Sequence, residues 1–170
     1  EEAFTTNNIP HQIIGTTAFY QRQEVKHAIA YLQCLHNLNQ PVWFERALLN
    51  PARGIGKTST QKFLNFCLDN NLTFEDGIKN ESCPLTERFK APIQGFINKI
   101  NTLNEGQQSI TEKLDELLEF LEFNEYLKKF ENKLDRLANI QELLTKCSTI
   151  ESLEAFLDEI TLFQGSDAET

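Results

Sequence analysis

The chain has 170 residues, 40 % of them apolar and 24 % charged, with a formal net charge of −9. That length and composition suit one compact domain with a real core and exclude wholesale disorder. No apolar run reaches membrane-spanning length, no basic-then-apolar leader opens the chain, and an acidic total does not mark nucleic-acid binding.

The distribution of charge is uneven. Residues 1–66 hold six bases against four acids, whereas residues 105–170 hold six bases against sixteen acids. Any contact with a polyanion therefore belongs to the N-terminal part. The cysteines, Cys34, Cys67, Cys83 and Cys147, stand far apart without a Cys-x-x-Cys pair, as expected of reduced, partly buried thiols in a cytoplasmic protein. Methionine is absent, and the ends "EEAFTTNNIP" and "SDAET" lead us to expect an internal piece of a longer chain.

In chain order, "IPHQIIG" is short, β-branched and bounded by Pro10 and Gly15, which predicts a strand. "FYQRQEVKHAIAYLQCLHN" places Phe19, Val25, Ile29, Leu32 and Leu35 near helical spacing. A second helix is expected from Pro41, burying Trp43, Phe44, Ala47 and Leu48, and "NPARGIG" breaks it. Thr58 followed by Gln61 fits a capping box, with Phe63, Phe66 and Cys67 as the apolar stripe of the helix it opens. "LTFEDGI" predicts a short helical turn, and "CPLTERFKAPIQGFINKINTL" one kinked helix or two short ones around Pro92.

The longest helical stretch runs from "SITEKLDELLEF" to "ANIQELLTKC". Its stripes are Leu114, Leu117, Leu118 and Leu121, then Leu134, Leu137, Ile140 and Leu144, too irregular for a clean heptad and better suited to bundle helices. A final helix, "TIESLEAFLDEITLF", is expected to end before Gly165.

The stretch "PARGIGKTST" carries the chemistry. A nucleotide-binding loop of the form G-x-x-x-x-G-K-[ST] would need its first glycine at position 51, which is Pro51. Proline lacks the N–H and the open φ of that glycine, an amphipathic helix precedes the turn instead of a buried strand, and no apolar strand ends in Asp-Glu for magnesium. What remains is helix, Gly54-Ile55-Gly56, helix. The glycines permit a tight turn and close approach, and the following helix offers unpaired N–H groups at the positive end of its dipole. Lys57, Thr58 and Ser59 add a charge and two hydroxyls, Arg53 flanks the turn, and Ile55 is expected to point inward as an apolar plug. Such a site can grip a backbone phosphate without reading sequence.

The surroundings of that turn resemble the UvrD/Rep/PcrA family of superfamily 1 DNA helicases, between motifs IV and V. The matching residues are Ile9-Pro10, Gly15, Phe19-Tyr20, Arg22, Glu24-Val25-Lys26, Ala30-Tyr31-Leu32, Phe44, Arg46, Asn50-Pro51, Arg53-Gly54-Ile55-Gly56 and Ser59. "RLANIQELL" is a weaker match to the family's R-x-x-N-[IL]-x-E-L. The resemblance implies an all-α bundle with a helix-GIG-helix hairpin, the accessory subdomain 2B of an ATP-dependent 3'-5' DNA helicase. Residues 1–17 would be the edge of the RecA-like motor domain 2A, 18–165 subdomain 2B, and 166–170 the return, with short strand remnants at both ends. It also implies non-sequence-specific contact with duplex DNA at a single-strand/double-strand junction, with Gly54, Gly56 and Ser59 offering N–H and hydroxyl groups to phosphates. Lys57 and Thr58 stand at positions variable in the family, so their place in the site, beside Arg53 and Ile55, rests on the physical argument above. Lys26 is read either as a DNA contact or as the partner of an acid on a neighbouring subdomain.

Other implied partners are the remaining helicase subdomains and repair or replication accessory proteins, in a bacterial, nucleoid-associated cytoplasmic setting with no membrane. ATP and magnesium would belong to the parent enzyme, with no cofactor, no metal and no catalysis in this piece. Two positions depart from the family pattern: Thr16 replaces the second Gly of a G-G pair, and His27 replaces an Asp. His11, His27 and His36 have no partners at metal-ligand spacing, and no Ser, His and Asp arrangement stands out. The rival reading is a protein-protein interaction or autoinhibitory module without DNA binding of its own.

Overall fold

A computed structural model describes residues 15–168, with side chains placed through residue 163. The regular structure of the described residues is all helix, without a strand: α1 Gln23–His36, α2 Pro41–Leu49, α3 Lys57–Asp69, α4 Phe74–Lys79, α5 Glu87–Glu105, α6 Ile110–Phe120, α7 Phe123–Leu127, α8 Lys133–Cys147 and α9 Leu153–Ala168. Residues 15–21 form a helical lead-in, and Arg22, with extended backbone, separates it from α1. None of these helices is long and apolar enough to cross a membrane, and no described group of His, Cys, Asp or Glu is suited to a metal ion.

Helix α1 is the centre of the bundle. Val25, Ala28, Ile29, Ala30, Tyr31 and Leu32 are all fully buried, so this helix is apolar around most of its circumference. It packs against α2, α5, α6, α8 and α9. A second knot of aromatic rings joins α2, α3, α4 and α5: Phe44 lies 4.5 Å from Phe74 and 5.9 Å from Phe96, and Phe63 lies 6.1 Å from Phe74, between ring centroids. Tyr20 of the lead-in stacks on Phe163 of α9 at 5.9 Å. All four cysteines are free and buried.

Several expectations need correction. The strand over residues 9–15 lies outside the described residues except for Gly15, which is helical. The C-terminal strand remnant expected over 166–170 does not form among its described residues: α9 continues through Gly165 to Ala168. A lone helical glycine costs only about 1 kcal/mol relative to Ala, and no proline follows to stop the helix. Pro92 sits inside the single helix α5 without ending it, since it forfeits one N–H bond early in a long helix. Gly56, not Thr58, is the N-cap of α3, and no side chain caps that helix.

The longest predicted stretch is three helices. α6 closes at Leu121, and Glu122 turns left-handed at φ 54°, a break with no Gly, Asn or Pro to announce it. Leu134, expected in the core, is 75 % exposed because it lies in the first turn of α8, beyond the edge of the bundle. The capping box that exists is at Ser109, whose Oγ accepts from the Glu112 N–H at 3.2 Å, while the Glu112 carboxylate accepts from the Ser109 N–H at 3.4 Å. Ser109→Ala is expected to cost about 1 kcal/mol, read as a lower urea midpoint at unchanged m-value.

Candidate functional site

The turn between α2 and α3, residues 50–56, is built from the inside outward. Asn50 ends α2, its Nδ2 donating to the Arg46 carbonyl at 3.0 Å, and Tyr31 of α1 donates its hydroxyl proton to the Asn50 carbonyl. Arg53 turns inward. Its Nε donates to the Pro51 carbonyl at 3.3 Å, Nη2 donates to the Ala47 carbonyl, and the guanidinium lies 5.2 Å from the centre of the Phe96 ring. Arg53, expected as a charge flanking the turn, thus lies beside it with its head group aimed inward and largely withdrawn from solvent.

Gly54 has φ 82°, a conformation that a side chain resists, so this position requires glycine even though the space around it is open. Ile55 is 4 % exposed and joins the core. Gly56 is extended at φ −95° and ψ 177°, with nothing near where a Cβ would stand.

The start of α3 is bare. Thr60 bonds the Gly56 carbonyl twice, by its N–H at 3.0 Å and by its Oγ1 at 2.9 Å. The N–H groups of Lys57, Thr58 and Ser59 precede the first intrahelical bond, no side chain caps them, and no acidic residue lies in the first turn. Lys57 and Thr58 are exposed and Ser59 is half-buried. The start of α3 thus offers the positive end of the helix dipole and three uncapped N–H donors, on residues that also carry two hydroxyls and one ammonium. On the α7 side, a groove of about 310 Å³ borders the turn and carries Glu122 and Glu125 beside Tyr126 and Lys129.

Lys26 does not join this group. Tyr31 faces the turn, and Lys26, five residues earlier on α1, lies about 140° around the helix from it. Tyr31, Asn50 and Thr60 were missed as parts of the turn. A tyrosine on a helix otherwise apolar was a usable signal, because a buried hydroxyl demands a polar partner.

A second assembly joins α1 to α8. The buried Glu24 carboxylate accepts from Asn139 Nδ2 at 2.8 Å and from Arg136 at 3.3 Å, and Arg22 donates to Asn139 Oδ1 at 2.6 Å. Arg136 also donates to Asn132 Oδ1 at 2.8 Å and stacks on Phe130, 3.9 Å from the ring centre. The residues matched in two distant motifs, Arg22 and Glu24 in one and Arg136 and Asn139 in the other, thus form one network.

His27, beside Glu24, is 6 % exposed, and its Nδ1 has no hydrogen-bond partner. Burial, then the positive charge of Arg46 from α2, holds its pKa down at about 4, while Glu24 pulls the other way and Arg136 and Lys26 add to the lowering. The unfolded imidazole titrates near 6.5, so between those values the unfolded chain binds more protons. Stability is expected to fall as pH drops from 6.5 to 4 and to lose nothing further from this group below that. Urea midpoints of His27→Gln beside the unsubstituted chain, at pH 7 and 4.5, check it: the variant should lose less on acidification.

The profile of the UvrD-like helicase C-terminal domain family matches residues 1–169. The chain is 30 % identical over 181 residues to the ATP-dependent DNA helicase PcrA of Staphylococcus aureus, covering 98 % of this chain and 25 % of that protein. It is 31 % identical over 178 residues to the ATP-dependent DNA helicase PcrA of Bacillus subtilis, covering 98 % of this chain and 24 % of that protein. The chain therefore spans about a quarter of the length of these relatives.

Proposed function

Because the chain belongs to the UvrD-like helicase C-terminal domain family, we propose that it is the helical accessory subdomain, 2B, of an ATP-dependent 3'-5' DNA helicase. It holds duplex DNA ahead of the fork through the backbone phosphates, while nucleotide hydrolysis belongs to other parts of the parent enzyme. The domain limits are 18–165 for the subdomain and 1–17 and 166–170 for its connections to the motor domain.

The observation that carries this reading is the bare start of α3 behind Gly54 and Gly56. A phosphate oxygen there meets the N–H groups of Lys57, Thr58 and Ser59, with the Lys57 ammonium as the mobile counter-charge. Gly54 and Gly56 keep side chains out of the approach, and Ile55 anchors the turn from below. Arg53 serves from inside, and Lys26 stands apart, towards a neighbouring subdomain. The absence of any acidic residue from the first turn of α3 favours a polyanion over a basic protein partner at this spot.

Fluorescence anisotropy with a labelled DNA duplex tests the reading. With two or three phosphates engaged, log K should fall against log salt with a slope of about −2 to −3. Lys57→Gln should weaken all duplex sequences alike and make that slope shallower by about one. Salt-independent binding, or a slope indifferent to Lys57, overturns it.

A further inference from the structure

Arg53 poses a question that the phosphate site does not answer. Its guanidinium is largely buried, yet no carboxylate pairs with it among the described residues, and Nη1 has no hydrogen-bond partner. A buried cation without a counter-ion is costly, so the contacts it does make have to repay the burial. Those contacts are specific in place. Ala47 belongs to the last turn of α2, where carbonyls lack intrahelical donors, and Pro51 is the first residue beyond the Asn50 cap. One planar group therefore bridges the end of a helix and the entry of the turn, beneath the phenyl ring of Phe96. From the other side, Tyr31 donates to the Asn50 carbonyl, close enough to the guanidinium to feel its charge. Burial lowers the guanidinium's pKa and raises that of Tyr31, both consistent with a dry setting.

We propose that Arg53 is a positioning residue. Its buried guanidinium, backed by Tyr31, ties α2 to the turn and holds Gly54–Ser59 in the shape that presents the α3 N–H groups to a phosphate, without touching the phosphate. The inference rests on the phosphate reading above and deepens it. A fork with donors in fixed directions is what the task requires, so a lysine, which keeps the charge but not the fork, does not replace it.

The test uses the 170-residue chain and its Arg53→Lys, Arg53→Gln and Tyr31→Phe variants, with a labelled DNA duplex as the probe and amide exchange over residues 54–60 as a second readout. Both Arg53 variants should bind about tenfold more weakly, the scale of one lost charge-assisted hydrogen bond, with the salt slope unchanged. Amides of the turn should exchange faster while those of α8 keep their rates, which a general loss of stability does not produce. Tyr31→Phe, which keeps the ring packing, should show the same local pattern more weakly and covers the case in which an Arg53 variant fails to fold.

Wild-type binding by Arg53→Lys, or a slope shallower by about one in Arg53→Gln with unchanged exchange, overturns the proposal by making Arg53 a direct phosphate ligand or a bystander. If the unsubstituted chain shows no salt-dependent duplex binding, the phosphate reading fails. The exchange comparison still decides separately whether Arg53 holds the turn.

Discussion

Gly56→Asp is expected to make the chain more stable and at the same time unable to hold a DNA duplex. Gly56 is the N-cap of α3, extended, with open space where the new Cβ would stand, so the substitution brings no strain. An Asp there accepts hydrogen bonds from the bare N–H groups that follow and places a negative charge at the positive end of the helix. Together these contribute about 0.5–1 kcal/mol, seen as a melting temperature higher by a few degrees. The same carboxylate occupies the donors a phosphate would use and repels it, so duplex affinity should fall at least about tenfold at low salt. Because a folding defect cannot produce a stabilised variant that fails to bind, the opposite signs separate site loss from unfolding. A stabilised Gly56→Asp chain with undiminished affinity would place the DNA contact elsewhere. At Gly54 the expectation reverses, because φ 82° penalises any side chain and stability itself declines.

Glu24→Ala should be among the most damaging single changes on the polar side of the bundle. The carboxylate is almost wholly enclosed and serves both Asn139 and Arg136, whose side chain is itself only 16 % exposed. Removing one member of a buried pair leaves the other charged and unpaired, at a cost of about 3 kcal/mol. Replacing both, as Glu24→Leu with Arg136→Met, should cost much less than the single changes summed, because no orphan charge remains. Urea unfolding of the unsubstituted chain, Glu24→Leu, Arg136→Met and the double closes the cycle, with Glu24→Ala measured beside them. A Glu24→Ala loss below about 1 kcal/mol would mean that water reaches Arg136 and the pair behaves as a surface bridge.

The helical identity of the chain was readable wherever an apolar stripe met an ordinary boundary. Pro41 opened α2, and Phe44, Ala47 and Leu48 faced inward as spaced. Ile55 was readable as a plug because an isoleucine between two glycines in a turn has no other reason to be there. What escaped was decided by tertiary placement. The left-handed Glu122 leaves no trace in composition. Thr58 and Gln61 had the spacing of a capping box, but the chain enters α3 two residues too early for Thr58 to act as a cap. Arg53 looked like a surface charge because an arginine's long stem permits either direction, and only the carbonyls of Ala47 and Pro51 and the Phe96 ring decide for the interior. The partnership of Glu24 with Arg136 and Asn139 spans more than a hundred residues, a distance over which no local pattern speaks.

The four enclosed thiols give the chain a built-in clock. Burial pushes Cys67 and Cys147 up to about 11 and raises Cys34 as well, so the reactive thiolate is scarce and sheltered while the structure is closed. An alkylating reagent then reports each opening as it happens: Cys34 times the parting of the central helix, Cys67 the lifting of α3, and Cys147 the fraying of α8. A single cysteine introduced at the exposed Thr58 would react ahead of the four buried thiols. A dye can therefore be placed beside the turn without first rebuilding the core.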